Sequence, residues 1–108
     1  MGKNKYLGEF EIVVLATLVR LGKDAYGMTI RREIEERSGR PVTIGSIYAT
    51  LRRLEAKGYV STALGEPSPE RGGRAKRYLR LEPAGAEALT RSKVLFLSVL
   101  EDLPDRLV

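Results

Sequence analysis

The sequence predicts a mainly α domain of the α+β kind, with one two-stranded antiparallel sheet in its C-terminal half. Apolar residues recur at helical spacing in four segments, and Gly or Pro residues separate these segments. Residues 76–81 alternate as a strand does, and residues 59–64 offer a partner strand across a loop rich in Gly and Pro. The predicted elements are helices over Glu9–Leu21, Tyr26–Arg37, Ile44–Lys57 and Pro83–Leu103, and strands over Tyr59–Leu64 and Lys76–Leu81.

The first predicted helix is apolar on nearly all sides, although packing on a single core requires only one apolar stripe. Its apolar residues are Phe10, Ile12, Val13, Val14, Leu15, Leu18, Val19 and Leu21. We expect such a helix to be covered on two sides. Gly22 follows directly and suits the C-terminal end of a helix.

The second and third helices each present one apolar stripe. The stripes consist of Tyr26, Ile30 and Ile34 in the second helix and Ile47, Leu51 and Leu54 in the third. Thr43 is the residue type that caps a helix N-terminus, and it directly precedes the third helix. We expect the two stripes to pack on each other, with Tyr59 and Leu79 closing the core.

A basic loop separates the two strands. Residues 70–77, ERGGRAKR, contain four Lys or Arg residues and one Glu. Two helices joined by a short turn, followed by a strand, a basic loop and a strand, form a winged helix-turn-helix, and the loop is its wing. We therefore divide the chain into a winged helix-turn-helix domain over residues 1–82 and a C-terminal dimerisation helix over residues 83–108.

The composition favours a nucleic-acid partner over an enzymatic role. The 108 residues include 19 Lys or Arg and 14 Asp or Glu, which gives a net charge of +5 and an affinity for polyanions. Because the chain has neither Cys nor His, we expect no disulfide, no metal site and no cofactor. The acidic residues lie at helical spacing on polar faces, and the paired glycines of the wing lack the spacing of a phosphate-binding loop. We therefore expect no catalytic activity.

The apolar segments are too short for a membrane protein. No segment reaches the roughly 18 apolar residues that a transmembrane helix needs. Glu9 and Glu11 interrupt the first apolar run, which is unlike a signal peptide. We therefore expect a cytoplasmic protein.

The outward side of the third helix and the wing carry the candidate DNA contacts. Small residues at the start of this helix allow a close approach to a groove wall, and Arg side chains grip guanine edges or phosphate in bidentate fashion. Ser and Tyr hydroxyls donate to phosphate and position the helix. The candidates are Ser46, Tyr48, Ala49, Arg52 and Arg53 in the helix, and Arg71, Gly73, Arg74, Lys76 and Arg77 in the wing.

Each of these two sets alone also fits an ordinary protein surface. Charged residues on an exposed helix face are normal, and Lys or Arg at a hairpin tip can simply keep a strand edge soluble. The combination is more specific, because a helix with small outward residues follows a helix-turn motif and precedes a basic loop. This combination favours binding to nucleic acid.

The sequence resembles the PadR family of bacterial transcriptional regulators over about residues 7–90. The resemblance rests on the pair Tyr26-Gly27, on GSIY at residues 45–48, on the run from Leu51 to Gly58 and on the Gly-Gly-Arg of the wing. It implies a homodimeric winged-helix repressor that binds a palindromic operator and is often released by a small ligand. The single helix after the wing matches the shorter type of the family. The partners that we expect are double-stranded DNA, a second copy of the chain and a small hydrophobic or aromatic effector.

Two other functions use the same basic face. The chain could be a winged-helix module that binds an acidic protein, or an RNA-binding adaptor. Small residues beside Arg52 and Arg53 favour a DNA groove over a flat partner surface. The sequence identifies neither the operator nor the regulated genes or the effector, and it does not separate a repressor from an activator.

The last helix predicts a dimer. Its apolar stripe is wider than a small domain needs, and an uncovered stripe of this kind would leave an unusually large apolar patch. A two-fold dimer is the commonest closed assembly. The candidate dimer residues are Phe10, Val14, Leu89, Phe96, Leu100 and Leu103. The alternative is a last helix that folds back on its own domain.

Overall fold

The computed structural model describes residues 6–67 and 75–107, and the structural statements below concern these residues. The order of elements is the predicted one, so the predicted fold class is confirmed. The elements are α1 (Glu9–Leu21), a 3-10 turn (Gly22–Asp24), α2 (Gly27–Ser38), α3 (Ile44–Ala56), β1 (Val60–Pro67), β2 (Ala75–Leu81) and α4 (Pro83–Leu100).

Helices α1, α2 and α3 pack around one apolar core, which the sheet closes. Ile30, Ile47 and Leu54 are fully buried, and Leu51 and Leu79 nearly so. The inward stripes of α2 and α3 are therefore those that the helical spacing predicts, and Leu79 closes the core as expected. Tyr59 packs against this core while remaining partly exposed.

Helix α3 begins where its capping residue predicts. The Thr43 side chain accepts a hydrogen bond from the backbone N–H of Ser46 at 3.1 Å. This bond satisfies one of the donors that the first turn of a helix leaves free. At the other end, Gly58 adopts a φ of 79°, a left-handed conformation that suits Gly and turns the chain into β1.

Tyr26 lies elsewhere than the sequence predicts. It is the residue before α2, and its backbone N–H donates to the Thr29 hydroxyl at 3.0 Å. It forms an isolated antiparallel bridge with Tyr78, and the neighbouring Leu79 N–H donates to the Ala25 carbonyl at 2.8 Å. Tyr26 therefore joins α2 to the sheet and does not extend the Ile30 stripe.

The sheet is a simple antiparallel pair in which Val60 lies opposite Leu81 and Thr62 opposite Leu79. Its register shifts between Leu64 and Pro67, so β1 continues past the predicted end at Leu64. The alternation along β2 buries Leu79 on the core side and leaves Arg80 exposed.

Only the first half of α4 packs on the domain. Gly85, Ala88 and Ser92 are buried, whereas every residue from 93 to 100 is exposed. The helix ends at Leu100, three residues before the predicted end, and Asp102 has a φ of 66°. Pro104 disfavours helical geometry at the residue before it, so the chain leaves the helix early. The prediction that Leu103 lies on this helix is wrong.

A buried carboxylate joins α1 to the end of α3. Glu11 is only 6% exposed, and its Oε2 lies 3.0 Å from Lys57 Nζ and 3.7 Å from Arg53 Nε. Its Oε1 accepts a hydrogen bond from the Gly8 backbone N–H at 2.8 Å. Burial alone raises the pKa of Glu11, but the bonds from Gly8 and Lys57 and the charge of Arg53 outweigh it and lower the pKa below 4.5.

We expect Leu51→Ala to lower the free energy of unfolding by about 2–5 kcal/mol, because the truncation leaves a cavity between α2 and α3. Leu64→Ala is the matched control, since Leu64 is 70% exposed and its truncation opens no cavity. Chemical denaturation measures both variants. A loss below about 1 kcal/mol for Leu51→Ala would show that this face of α3 does not pack in the core.

We expect Glu11→Gln to lower the free energy of unfolding by about 1–3 kcal/mol at neutral pH, since it leaves Lys57 and Arg53 without their anion. Because the pKa of Glu11 is lower in the folded chain, its contribution is complete above the unfolded pKa and disappears as the pH falls through the folded pKa. The stabilities of the variant and the wild type should therefore converge in acid. Glu9→Gln, in the same helix turn but exposed, is the control. A difference between the variant and the wild type that persists unchanged at a pH well below the folded pKa of Glu11 would contradict the ionic role.

Candidate nucleic-acid interface

Four of the five predicted contacts of α3 are exposed to solvent. They are Ser46, Tyr48, Arg52 and Arg53, and Ala49 is half-buried beside them. Gly45 has open space around it, because no atom beyond its chain neighbours and its own helix backbone lies within 4 Å of the place where a side chain would begin. The start of α3 therefore has no large side chain at Gly45, so another molecule can approach the helix backbone closely there.

Helix α3 and the base of the wing form the two walls of one groove. Tyr48 and Arg52 lie on the helix wall and Arg77 on the strand wall, and the groove encloses about 350 Å³. Leu51, Glu55, Thr62 and Leu79 complete its lining. Within residues 6–67 and 75–107, neither Arg52 nor Arg77 forms an ion pair. Two guanidinium groups are thus available on one concave surface.

The structure separates the two adjacent arginines of α3. Arg53 turns towards α1, where its Nε lies 3.7 Å from Glu11 Oε2 and its Nη2 donates to the Thr50 hydroxyl at 3.2 Å. Arg52 points to the groove instead. Arg52 is therefore the better candidate for contacting a base edge, because Arg53 is partly engaged in contacts within its own chain.

The base of the wing holds one basic side chain in a fixed place. Lys76 Nζ lies 4.4 Å from the centre of the Tyr26 ring and donates to the Tyr26 hydroxyl at 3.4 Å. The Tyr26 ring in turn meets the Tyr78 ring edge to face, with 5.4 Å between their centres. Attraction between a cation and an aromatic face adds to this placement. Lys76 is therefore oriented by the residue that precedes α2, and Arg77 beside it is exposed.

The predicted contacts at the tip of the wing are Arg71, Gly73 and Arg74. These three positions lie outside the described residues. They remain predictions from the sequence.

The predicted dimer residues fall into three groups by their exposure. Phe96 and Leu100 are 43% and 58% exposed on α4, and Leu103 is exposed beyond the end of that helix. Phe10 and Leu89 are half-buried against their own core. Val14 is fully buried inside its own chain and offers no surface to a partner.

The charged cluster of Glu11, Lys57 and Arg53 is not apparent from the sequence. Its one sequence signal is an acidic residue within an otherwise apolar helix. The charged partners of Glu11, Lys57 and Arg53, lie more than forty residues away, which local spacing does not reveal. The cluster matters because it fixes the C-terminal end of α3.

No helix in the part of the chain that the structure describes is long and apolar enough to span a membrane. The same residues contain no group of three or more His, Cys, Asp or Glu side chains placed to hold a metal ion.

Solved structures of transcription regulators have the same fold. A PadR family transcription regulator from Clostridium difficile R20291 superposes with a TM-score of 0.73 at 24% identity, over 87% of this chain and 93% of that one. A PadR-like transcriptional regulator from Bacillus cereus gives a TM-score of 0.71 at 22% identity, over 84% of each chain. RosR from H. salinarum is 27% identical, with a TM-score of 0.68 over 92% of this chain and 82% of RosR.

A comparison with curated proteins finds no match. A comparison with protein families matches residues 14–91 to the Transcriptional regulator PadR-like family. This match covers more than half of the chain, including α2, α3, the sheet and the packed half of α4. The chain belongs to the PadR-like family of transcriptional regulators.

Proposed function

We propose that this DNA-binding regulator is a homodimeric repressor that contacts a palindromic operator through α3 and the wing. The observation that carries the proposal is the groove in which Tyr48 and Arg52 of α3 face Arg77 of β2. As a member of a family of transcription regulators, the chain is not an enzyme, in agreement with the sequence-based expectation. The repressor role and a cytoplasmic location belong to the proposal and rest on the family.

The roles of the side chains follow from their chemistry and placement. Arg52 is exposed, forms no ion pair among the described residues and is able to contact a guanine edge in bidentate fashion. Ser46 and Tyr48 carry hydroxyls suited to phosphate oxygens, which set the register of the helix on the duplex. Lys76 and Arg77 add positive charge on the other side of the groove, where they suit the phosphate backbone.

The exposed half of α4 supports a dimer. Between residues 94 and 100 it exposes Val94, Leu95, Phe96, Leu97, Val99 and Leu100. An uncovered apolar stretch of this size on a small chain favours association, and a second copy offers the same stretch in return. A two-fold axis near α4 would set two α3 helices about one DNA turn apart, as a palindrome requires.

A groove between α1 and α4 is where we place the expected effector. It encloses about 550 Å³, and its floor is apolar. The residues around it are Ile12, Ala16, Val19, Arg20, Leu89, Lys93, Phe96 and Leu97. Since Phe96 and Leu97 also belong to the proposed dimer surface, a small hydrophobic or aromatic molecule bound there would alter how two subunits meet.

We expect the affinity for duplex DNA to fall steeply with salt, because bound Lys and Arg release counterions from phosphate. Duplexes enriched from a random pool by the wild-type chain supply the operator, and fluorescence anisotropy compares it with a scrambled duplex and a duplex RNA. Arg52→Ala should reduce the preference for the operator by about 1–3 kcal/mol. Lys76→Ala should weaken both DNA duplexes alike and reduce the salt slope by about 1, since it removes one phosphate contact.

Arg106→Ala is the matched control, because it removes one exposed positive charge outside the helices and strands. It should change neither the preference nor the salt slope to a comparable extent. Equal binding to all three nucleic acids, insensitive to salt, would contradict the proposal. A preference for the RNA duplex would favour the RNA-binding alternative.

We expect the wild-type chain to sediment as a dimer at micromolar concentration. The double variant Phe96→Glu and Leu97→Glu should sediment as a monomer, because two charges would be buried without partners in the dimer. Leu107→Glu is the control, since Leu107 is 70% exposed in the tail that follows α4. A monomeric wild type, or a double variant that remains dimeric, would remove α4 from the proposed interface.

A further inference from the structure

Helices α2 and α3 meet at a point that has no room for a side chain. A methyl group added at Gly27 would overlap the Tyr48 hydroxyl and would lie 2.9 Å from Tyr48 Cζ and 3.5 Å from Ile44 Cδ1. Contacts below 3.0 Å are essentially absent between real Cβ atoms and their neighbours, so one of the two groups would have to move. The tip of the Tyr48 ring therefore occupies the space that any other residue at position 27 would fill.

The backbone does not require Gly at this position. Gly27 is the first residue of α2, and its φ is not among the positive values that Gly22, Gly39 and Gly58 adopt. Ala is a better helix residue than Gly, so local structure alone would favour a side chain here. Gly is required at position 27 because the tip of the Tyr48 ring occupies the space next to its Cα atom.

We propose that Gly27 is a positioning residue for DNA binding, because its bare Cα atom seats the Tyr48 ring tip and holds the hydroxyl where α2 and α3 meet. This inference rests on the proposed function, in which Tyr48 contacts the DNA backbone. The contact between Gly27 and the Tyr48 ring gives α2 a role in DNA binding, because the first residue of α2 orients a DNA contact on the neighbouring helix.

The contact with Gly27 fixes the orientation of the Tyr48 side chain before DNA binds. Tyr48 is 39% exposed, so without a support its ring could take several orientations. Holding a side chain in its bound orientation removes an ordering cost that binding would otherwise include. Displacing the ring should therefore reduce affinity, while the core beneath α3 stays packed because Ile47 and Leu51 are themselves buried in it.

The test is a double-mutant cycle on the full chain with the enriched duplex. We expect Gly27→Ala to weaken binding about two- to tenfold. The same substitution in a Tyr48→Ala background should leave the affinity of that background unchanged, since no ring remains to be displaced. An equal loss in both backgrounds, or no loss with Tyr48 present, would overturn the inference. Because removing the Tyr48 ring would also relieve a loss of stability, thermal unfolding of each variant accompanies the cycle, and a loss of affinity explained entirely by unfolded protein would overturn the inference.

A second measurement needs no DNA. In protein labelled with carbon-13 on the tyrosine rings, Tyr48→Phe identifies the Tyr48 signal, and Gly27→Ala should shift it strongly. Gly45→Ala is the matched control for this measurement and for thermal unfolding, because Gly45 also lies in the first turn of a helix but has open space around it. An unshifted Tyr48 signal in Gly27→Ala would show that Gly27 does not position the Tyr48 ring.

The two measurements separate the inference from the proposed function. A wild-type chain that enriches no duplex would overturn the proposed function and the DNA role of Gly27 together. A wild-type chain that binds its duplex, with an affinity that Gly27→Ala leaves unchanged, would overturn the positioning role alone.

Discussion

The orientation of α3 depends on the buried carboxylate of Glu11. Its oxygens bind the start of α1 through the Gly8 N–H and the end of α3 through Lys57, and Arg53 lies close by. A carboxylate removed from water is unfavourable unless charged partners compensate it, so the packing of α1 on α3 with Glu11 inside favours the arrangement in which these contacts are made. The outward face of α3, with Ser46 and Arg52, is fixed by the same contacts because it lies on the same rigid helix.

The apolar residues of the chain have two roles, one in the core and one at the proposed dimer contact. Those of α1, α2, α3 and the sheet form the core that holds the groove, and Gly85, Ala88 and Ser92 attach the first half of α4 to it. The second half of α4 extends from this body with its apolar residues uncovered. A single continuous helix thus connects the domain that carries α3 to the proposed dimer contact. In the proposed dimer, a change at this surface would therefore alter the separation of the two copies of α3.

Local patterns in the sequence predict the helices, the strands and the inward faces of α2 and α3. The predicted bounds of α1 and the predicted cap at Thr43 are confirmed. The sequence is sufficient to predict both because each depends only on residues nearby in the chain. Arg52 and Arg53 look equivalent in the sequence, and only Glu11 on another helix distinguishes them. Periodicity does not show which side of the apolar helix α1 meets the core, so it wrongly predicts Val14 on the dimer surface. It also misplaces Tyr26, whose position depends on Tyr78, fifty-two positions later.

The most direct test of the central claim, that α3 enters the DNA groove, is cleavage of DNA by a chelated iron attached to one residue. The chain has no Cys, so Ser46→Cys creates a single attachment point at the start of α3, and Glu87→Cys creates one on the exposed side of α4. With the enriched duplex bound, we expect the label at position 46 to cleave at two sites about one helical turn apart. The label at position 87 should leave the duplex intact. Bound DNA that is cut equally from both positions, or only from position 87, would contradict the account.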